Sequence, residues 1–173
     1  MKTRSAAAAL AAMLAGVGCG YHISGHADLL PKNIKTIAVP AFGNGTTRNQ
    51  LARLLPEDIT REFLSRTHYK VVADPAQADA VLGGTLLNFV ALPTTFDPAS
   101  GRATGVQAVI TLRLTLTDRT TGSLILNRPV AEFRQSYEIA VDPEKYFDES
   151  GTAIIRLSQD VARSVVSAVL EKF

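Results

Sequence analysis

Between Val106 and Thr117 the chain alternates, with Val106, Ala108, Ile110, Leu112, Leu114 and Leu116 in one parity and Gln107, Thr111, Arg113, Thr115 and Thr117 in the other. Successive side chains of a strand project to opposite faces, so the pattern specifies a long strand with one buried face. The turn residues Asp118 to Gly122 then send the chain back through Leu124 and Leu126 to Ala131, Phe133, Tyr137 and Ile139. The apolar parity of that return switches from even to odd near Pro129, which predicts a β-bulge.

A strand with one apolar face needs a second layer to bury it, and the rest of the chain supplies one. Ile34 to Val39 reads as a first strand closed by Pro40, after which Gly43, Asn44 and Gly45 form a turn and Thr46 or Thr47 can cap a helix. Leu51, Leu55, Ile59 and Phe63 recur every four residues along that helix. Pro56 lies among them, and an interior proline removes a backbone donor, so either the helix kinks there or it begins near Leu55. Tyr69 to Val72 is a second strand. Ala80 to Leu92 is a third, covered on both faces or bulged at Gly83 and Gly84. After a polar loop containing Pro143, Asp148 or Ser150 can cap a final helix with the apolar row Ile154, Leu157, Val161, Val165 and Ala168. A second row, Ile155, Ala162, Val166 and Val169, widens its buried stripe. The expected fold is an α+β two-layer sandwich: a mixed sheet of four to five strands with two helices packed on it.

The beginning of the chain has a different grammar. Lys2 and Arg4 precede the apolar run Ser5 to Val17, and small residues lead to Cys19, the only cysteine. The run is shorter than the ~20 residues a membrane-spanning helix needs and ends among glycines. This segment resembles a bacterial lipoprotein signal, which implies cleavage of residues 1–18, acylation of Cys19 and anchoring rather than spanning. Gly16 departs from the leucine usual in such signals, and Gly20 after the cysteine is compatible with onward export to the outer membrane. Residues 19–33 then read as a lipidated tether and 34–173 as one domain.

Composition removes several function classes. Lys2 and Arg4 account for the excess of 18 basic over 16 acidic residues, so the remainder is neutral and lacks the cationic excess of a general nucleic-acid binder. A single cysteine excludes an internal disulfide and four-cysteine metal centres. His22 and His26 near Cys19 read as part of a solvated tether rather than a metal cluster, and no cofactor is expected. No glycine-flanked serine nucleophile, phosphate-binding loop or dinucleotide fingerprint is present. Glu57, Asp58 and Glu62 read as ordinary helix charges, with Glu62 placed to pair with Arg66. The segment Pro93 to Gly105 reads as a long loop carrying Thr94, Thr95, Asp97, Ser100, Arg102 and Thr104. Arg102 there can meet an anionic group, with Lys145 and Arg128 as weaker candidates.

Several segments in order carry a family resemblance: Cys19-Gly20-Tyr21-His22; Ile37-Ala38-Val39-Pro40-Ala41-Phe42 with Asn44 and Thr46; the helix ending near Arg66; Tyr69-Lys70-Val71-Val72; and Ala78-Asp79-Ala80-Val81-Leu82-Gly83-Gly84-Thr85. Together they resemble the lipopolysaccharide-assembly lipoprotein family, LptE. The resemblance implies a small lipid-anchored domain at the periplasmic face of the outer membrane. There it sits inside the β-barrel protein LptD, supports barrel assembly, and binds lipopolysaccharide on its way to the outer leaflet, without catalysis. It also implies Cys19 as the acylated amino terminus. Lipopolysaccharide contacts in the family come from basic side chains on loops or strand ends, the positions that Arg102 and Lys145 occupy here. A ring-forming or secretion-associated envelope lipoprotein could use a similar opening strand and helix, and an enzyme with an unrecognised site is a remoter rival.

Overall fold

The computed structural model describes residues 30–138 and 143–171. Along the chain run β1 (Thr36–Ala38), β2 (Gly43–Asn44), α1 (Asn49–Arg66), β3 (Lys70–Val72), β4 (Ala80–Phe96), β5 (Ala103–Asp118), β6 (Leu124–Glu138) and α2 (Pro143–Leu170), with a 3-10 turn at Pro75–Gln77. The strands form one sheet in the order β3-β1-β4-β5-β6, with β2 paired to β4 beside this path. The β3-β1-β4 part is parallel and the β4-β5-β6 part antiparallel. The mixed two-layer fold is as expected, with six strands instead of four to five.

Packing follows from the alternation. Ala108, Ile110, Leu112, Leu114 and Leu116 of β5 are all buried, and on the same face they meet Leu82 and Leu86 of β4. Leu51, Leu55, Ile59 and Phe63 of α1 and Leu157, Val161, Val165 and Val169 of α2 close over them in a single core cluster. Each fully buried leucine or isoleucine contributes roughly 1.5–3 kcal/mol, so this face decides which way the sheet points. The helices also meet each other, where the Arg66 guanidinium donates to the Ser167 hydroxyl at 3.1 Å. Ile155 of the second α2 row is instead exposed at 42%.

Several boundaries differ from the sequence reading for identifiable reasons. Gly43 and Asn44 pair with Thr85 and Leu86 as a short parallel strand, and the turn comes after them, where Asn44 Oδ1 accepts the Thr46 N–H at 2.9 Å. Thr46 Oγ1 accepts the Arg48 N–H at 3.0 Å, so it holds that turn, and the helix starts at Asn49 without a capping side chain. Helix α1 therefore does not begin near Leu55; it runs through Pro56, whose ring is buried. The missing N–H leaves the Ala52 carbonyl without its usual backbone donor. Helix α2 begins at Pro143, upstream of Asp148 and Ser150, and its first residue has the fixed φ suited to an opening turn.

Strand β4 does not bulge at its glycines. The extra residue is Leu87, between the pairs Leu86↔Leu112 and Asn88↔Thr111. Gly84 serves packing instead, because a Cβ there would lie 2.3 Å from the Phe42 ring. The bulge near Pro129 is present: Leu112 faces Ala131 while Leu114 faces Arg128, so Pro129 and Val130 together oppose Arg113. Strand β1 is anchored by Asp79, whose carboxylate accepts the N–H groups of Lys35 and Thr36, each at 2.9 Å.

Candidate binding cleft

Strands β4, β5 and β6 extend past the short β1, β2 and β3, and their far end carries the residues singled out for binding. Pro93 to Gly105 is not a long loop: Pro93 to Phe96 continue β4, Ala103 to Gly105 begin β5, and only residues 97–102 turn. The turn is tightly built. The Asp97 carboxylate accepts the Ser100 N–H at 2.8 Å and the Ser100 hydroxyl, the Asp97 N–H donates to the Arg102 carbonyl at 2.8 Å, and Gly101 takes a φ of +68°. The Ser100 hydroxyl and amide hold the Asp97 carboxyl below the usual carboxylate range. Arg102, exposed, thus stands at the end of a rigid hairpin rather than on a wandering loop.

Beneath this hairpin, the far end of the sheet and the middle of α2 enclose a cleft of about 760 Å³. Thr94, Thr95 and Gly105 form its hairpin side, Gln135 to Glu138 its β6 side, and Thr152 to Asp160 its helix side. Its floor is apolar through Val106 and Leu157, both buried. Arg156 lines it as an exposed cation with no ion-pair or hydrogen-bond partner among the described residues, whereas Asp160 is paired with Arg163. The sequence reading missed Arg156, although its place between the apolar positions Ile155 and Leu157 was visible. Lys145 falls in the first turn of α2 rather than on a loop, two turns before Thr152. The fold therefore brings Arg102's hairpin and Lys145's helix to one end of the molecule, with Arg156 between their supports. Cys19, with the signal and tether up to residue 29, lies outside the described residues.

The other candidates are placed elsewhere. Glu57 pairs with Arg53 at 3.2 Å and Glu62 with Arg66 at 3.0 Å, both as helix pairs four apart. Asp58 differs from the expected surface charge: it is 5% exposed, one oxygen bonded to Arg61 and the other without a partner. No group of three His, Cys, Asp or Glu suited to a metal occurs among the described residues, and none of the described helices is long and apolar enough to cross a membrane.

A match to the LptE lipopolysaccharide-assembly family spans residues 34–169. The chain belongs to the LptE family. No curated protein matches the sequence. Among solved structures, this LptE-family fold is similar to an uncharacterized lipoprotein B from Nitrosomonas europaea at 13% identity and a TM-score of 0.52, covering 87% of this chain and 90% of that one. A Xanthomonas campestris protein gives 12% identity and a TM-score of 0.57 over 82% and 87% of the two chains. A PelC dodecamer from Paraburkholderia phytofirmans gives 14% and 0.50 over 79% and 88%. At these identities the likeness is one of fold.

The face of the LptE-family sheet opposite the helices has its own character. Arg113 is exposed near its middle, level with Thr85 on β4 and flanked along β5 by Thr111 and Thr115. Among the described residues Arg113 has no hydrogen-bond or ion-pair partner. Glu132 also belongs to this face and is paired with Arg134 at 2.6 Å. The adjoining edge of β4 is closed to strand pairing. Asn88 Oδ1 takes the Phe89 N–H at 2.9 Å, and Pro93, four residues on in unbroken register, has no N–H to offer.

Proposed function

We propose that the chain is an outer-membrane lipoprotein, acylated at Cys19, that associates with and plugs an LptD-type β-barrel, supports its assembly and assists lipopolysaccharide transport to the outer leaflet. It acts by binding and occupancy, not by covalent catalysis. The observation that carries the ligand-binding part is the cleft: an apolar floor with the Arg156 guanidinium in its wall suits an amphiphile bearing phosphates, and Arg102 on the adjoining hairpin and Lys145 in the first turn of α2 are the further cations we assign to the anionic groups. Family membership supports the lipopolysaccharide and the barrel as partners.

The test is purification of the tagged full-length chain from detergent-solubilised outer membranes, with mass spectrometry of the retained proteins and of the mature amino terminus. Recovery of one large β-barrel per chain and an acylated Cys19 is expected. Arg102→Glu combined with Arg156→Glu should lower lipopolysaccharide binding about tenfold or more, as removal of charge-assisted contacts does, while leaving the thermal melt unchanged. A homo-oligomeric ring in place of a barrel complex would overturn the reading in favour of a ring-forming envelope lipoprotein.

A further inference from the structure

We propose that the open face of the sheet is a protein-docking surface centred on Arg113, and that the partner presents a carboxylate to that guanidinium. The inference rests on the reading of the chain as a barrel partner and names the surface and the contact chemistry. Nearest Arg113 in register on β4 and β5 the face carries the short, uncharged side chains of Thr85, Thr111 and Thr115, with Val90 and Val109 further along, while the Glu132–Arg134 pair lies opposite Thr111 and Val109 on β6. Of these β4 and β5 residues all but Arg113 and Val90 are half-buried, so the surface there is low and an opposing wall can lie close against it. The Arg113 guanidinium rises from this patch beside the Glu132–Arg134 pair on β6, and arginine is a favoured anchor at interface centres.

Charge complementarity selects the occupant. The guanidinium is uncompensated, because the nearest acid on the face, Glu132, is committed to Arg134. The bulge at Pro129 and Val130 places two uncharged residues opposite Arg113 on β6. One forked cation on a flat surface matches one planar carboxylate through paired hydrogen bonds. A lipid phosphate group is served better by the concave cleft, whose lining joins Arg156 to Thr94 and Thr95. Strand addition at the β4 edge is disfavoured, since Asn88 and Pro93 leave few donors there, so a partner over this side of the sheet docks on its face.

The experiment uses the full-length chain expressed in its own outer membrane, carrying Arg113→Glu, Arg113→Lys or the control Lys70→Glu, which makes the same charge change on exposed β3. Retained barrel protein and lipopolysaccharide binding are both measured, and folding is checked by thermal melt. Arg113→Glu is expected to lower retained barrel about tenfold or more, with Arg113→Lys intermediate and Lys70→Glu near the parent. A photo-crosslinking residue at Thr111 should capture the barrel in the otherwise unaltered chain, which decides the matter should Arg113→Glu not fold. Equal barrel recovery with Arg113→Glu and Lys70→Glu would overturn the inference while leaving the proposed function standing. So would loss of lipopolysaccharide binding with the barrel retained, which would assign Arg113 to the glycolipid. Recovery of no barrel by the parent chain would overturn the underlying reading, and the inference with it.

Discussion

Gly84 is kept free of a side chain by Phe42, whose ring occupies the space a Cβ would need. Gly84→Ala must displace that ring from the core, and overpacking of this kind costs about 1–3 kcal/mol. Urea unfolding should show the loss, and Phe42→Leu in the same chain should recover part of it; additive losses would mean that the ring is not the obstacle. Asp79 works through charge instead. The Lys35 backbone N–H first, then the Thr36 hydroxyl and N–H, lower its carboxyl below the ordinary value. A depressed folded-state pKa stabilises the fold when the group is ionised, so its contribution is present at neutral pH and is lost as pH falls below about 4. Thermal melts of the parent and Asp79→Ala should therefore be well separated at pH 7 and draw together as the pH falls below about 4. A gap that persists in acid would show that the carboxylate's charge is not what holds β1.

At the scale of elements, α1 carries a proline eight residues in and still continues to Arg66. Pro56→Ala restores an amide opposite the Ala52 carbonyl and should stabilise the chain by about 1–3 kcal/mol, read from the urea midpoint, unless the buried ring's packing outweighs the regained bond. The elements with strong periodicity were legible: β5 from its alternation, the bulge in β6 from its parity shift, and both helices from their rows. What escaped were features decided by a neighbour. Strand β2 is two residues long and exists because β4 lies beside it. The start of α1 lacks a capping side chain, so no cap residue announces it. Strand β4 passes through Pro93, which looks like a break in sequence, but at an edge position turned away from β5 the missing N–H is tolerated. The hairpin holding Arg102 was therefore placed correctly but drawn too long. The cleft joins residues 94–106 to residues 135–160, a juxtaposition no local pattern contains.

Taken whole, the molecule buries one core from both layers, so it should unfold as a unit. Leu112→Ala, at the centre of β5 and fully buried, should cost about 2–5 kcal/mol and shift the far-ultraviolet and tyrosine signals together. Separate transitions would divide the sheet's far end from the helix-covered part. The same length of sheet acts as a ruler. The Asn33 side chain is fastened to Asp118 at one end of β5, while the hairpin bearing Arg102 sits at the other, sixteen strand residues or about 50 Å away. Residues 19–30 can add at most about 40 Å when extended. Were Cys19 anchored at a membrane as proposed, the cleft could lie no farther from it than strand and tether together allow, and its effective concentration towards anything within that radius would be set by those two lengths, independent of how much protein the cell makes.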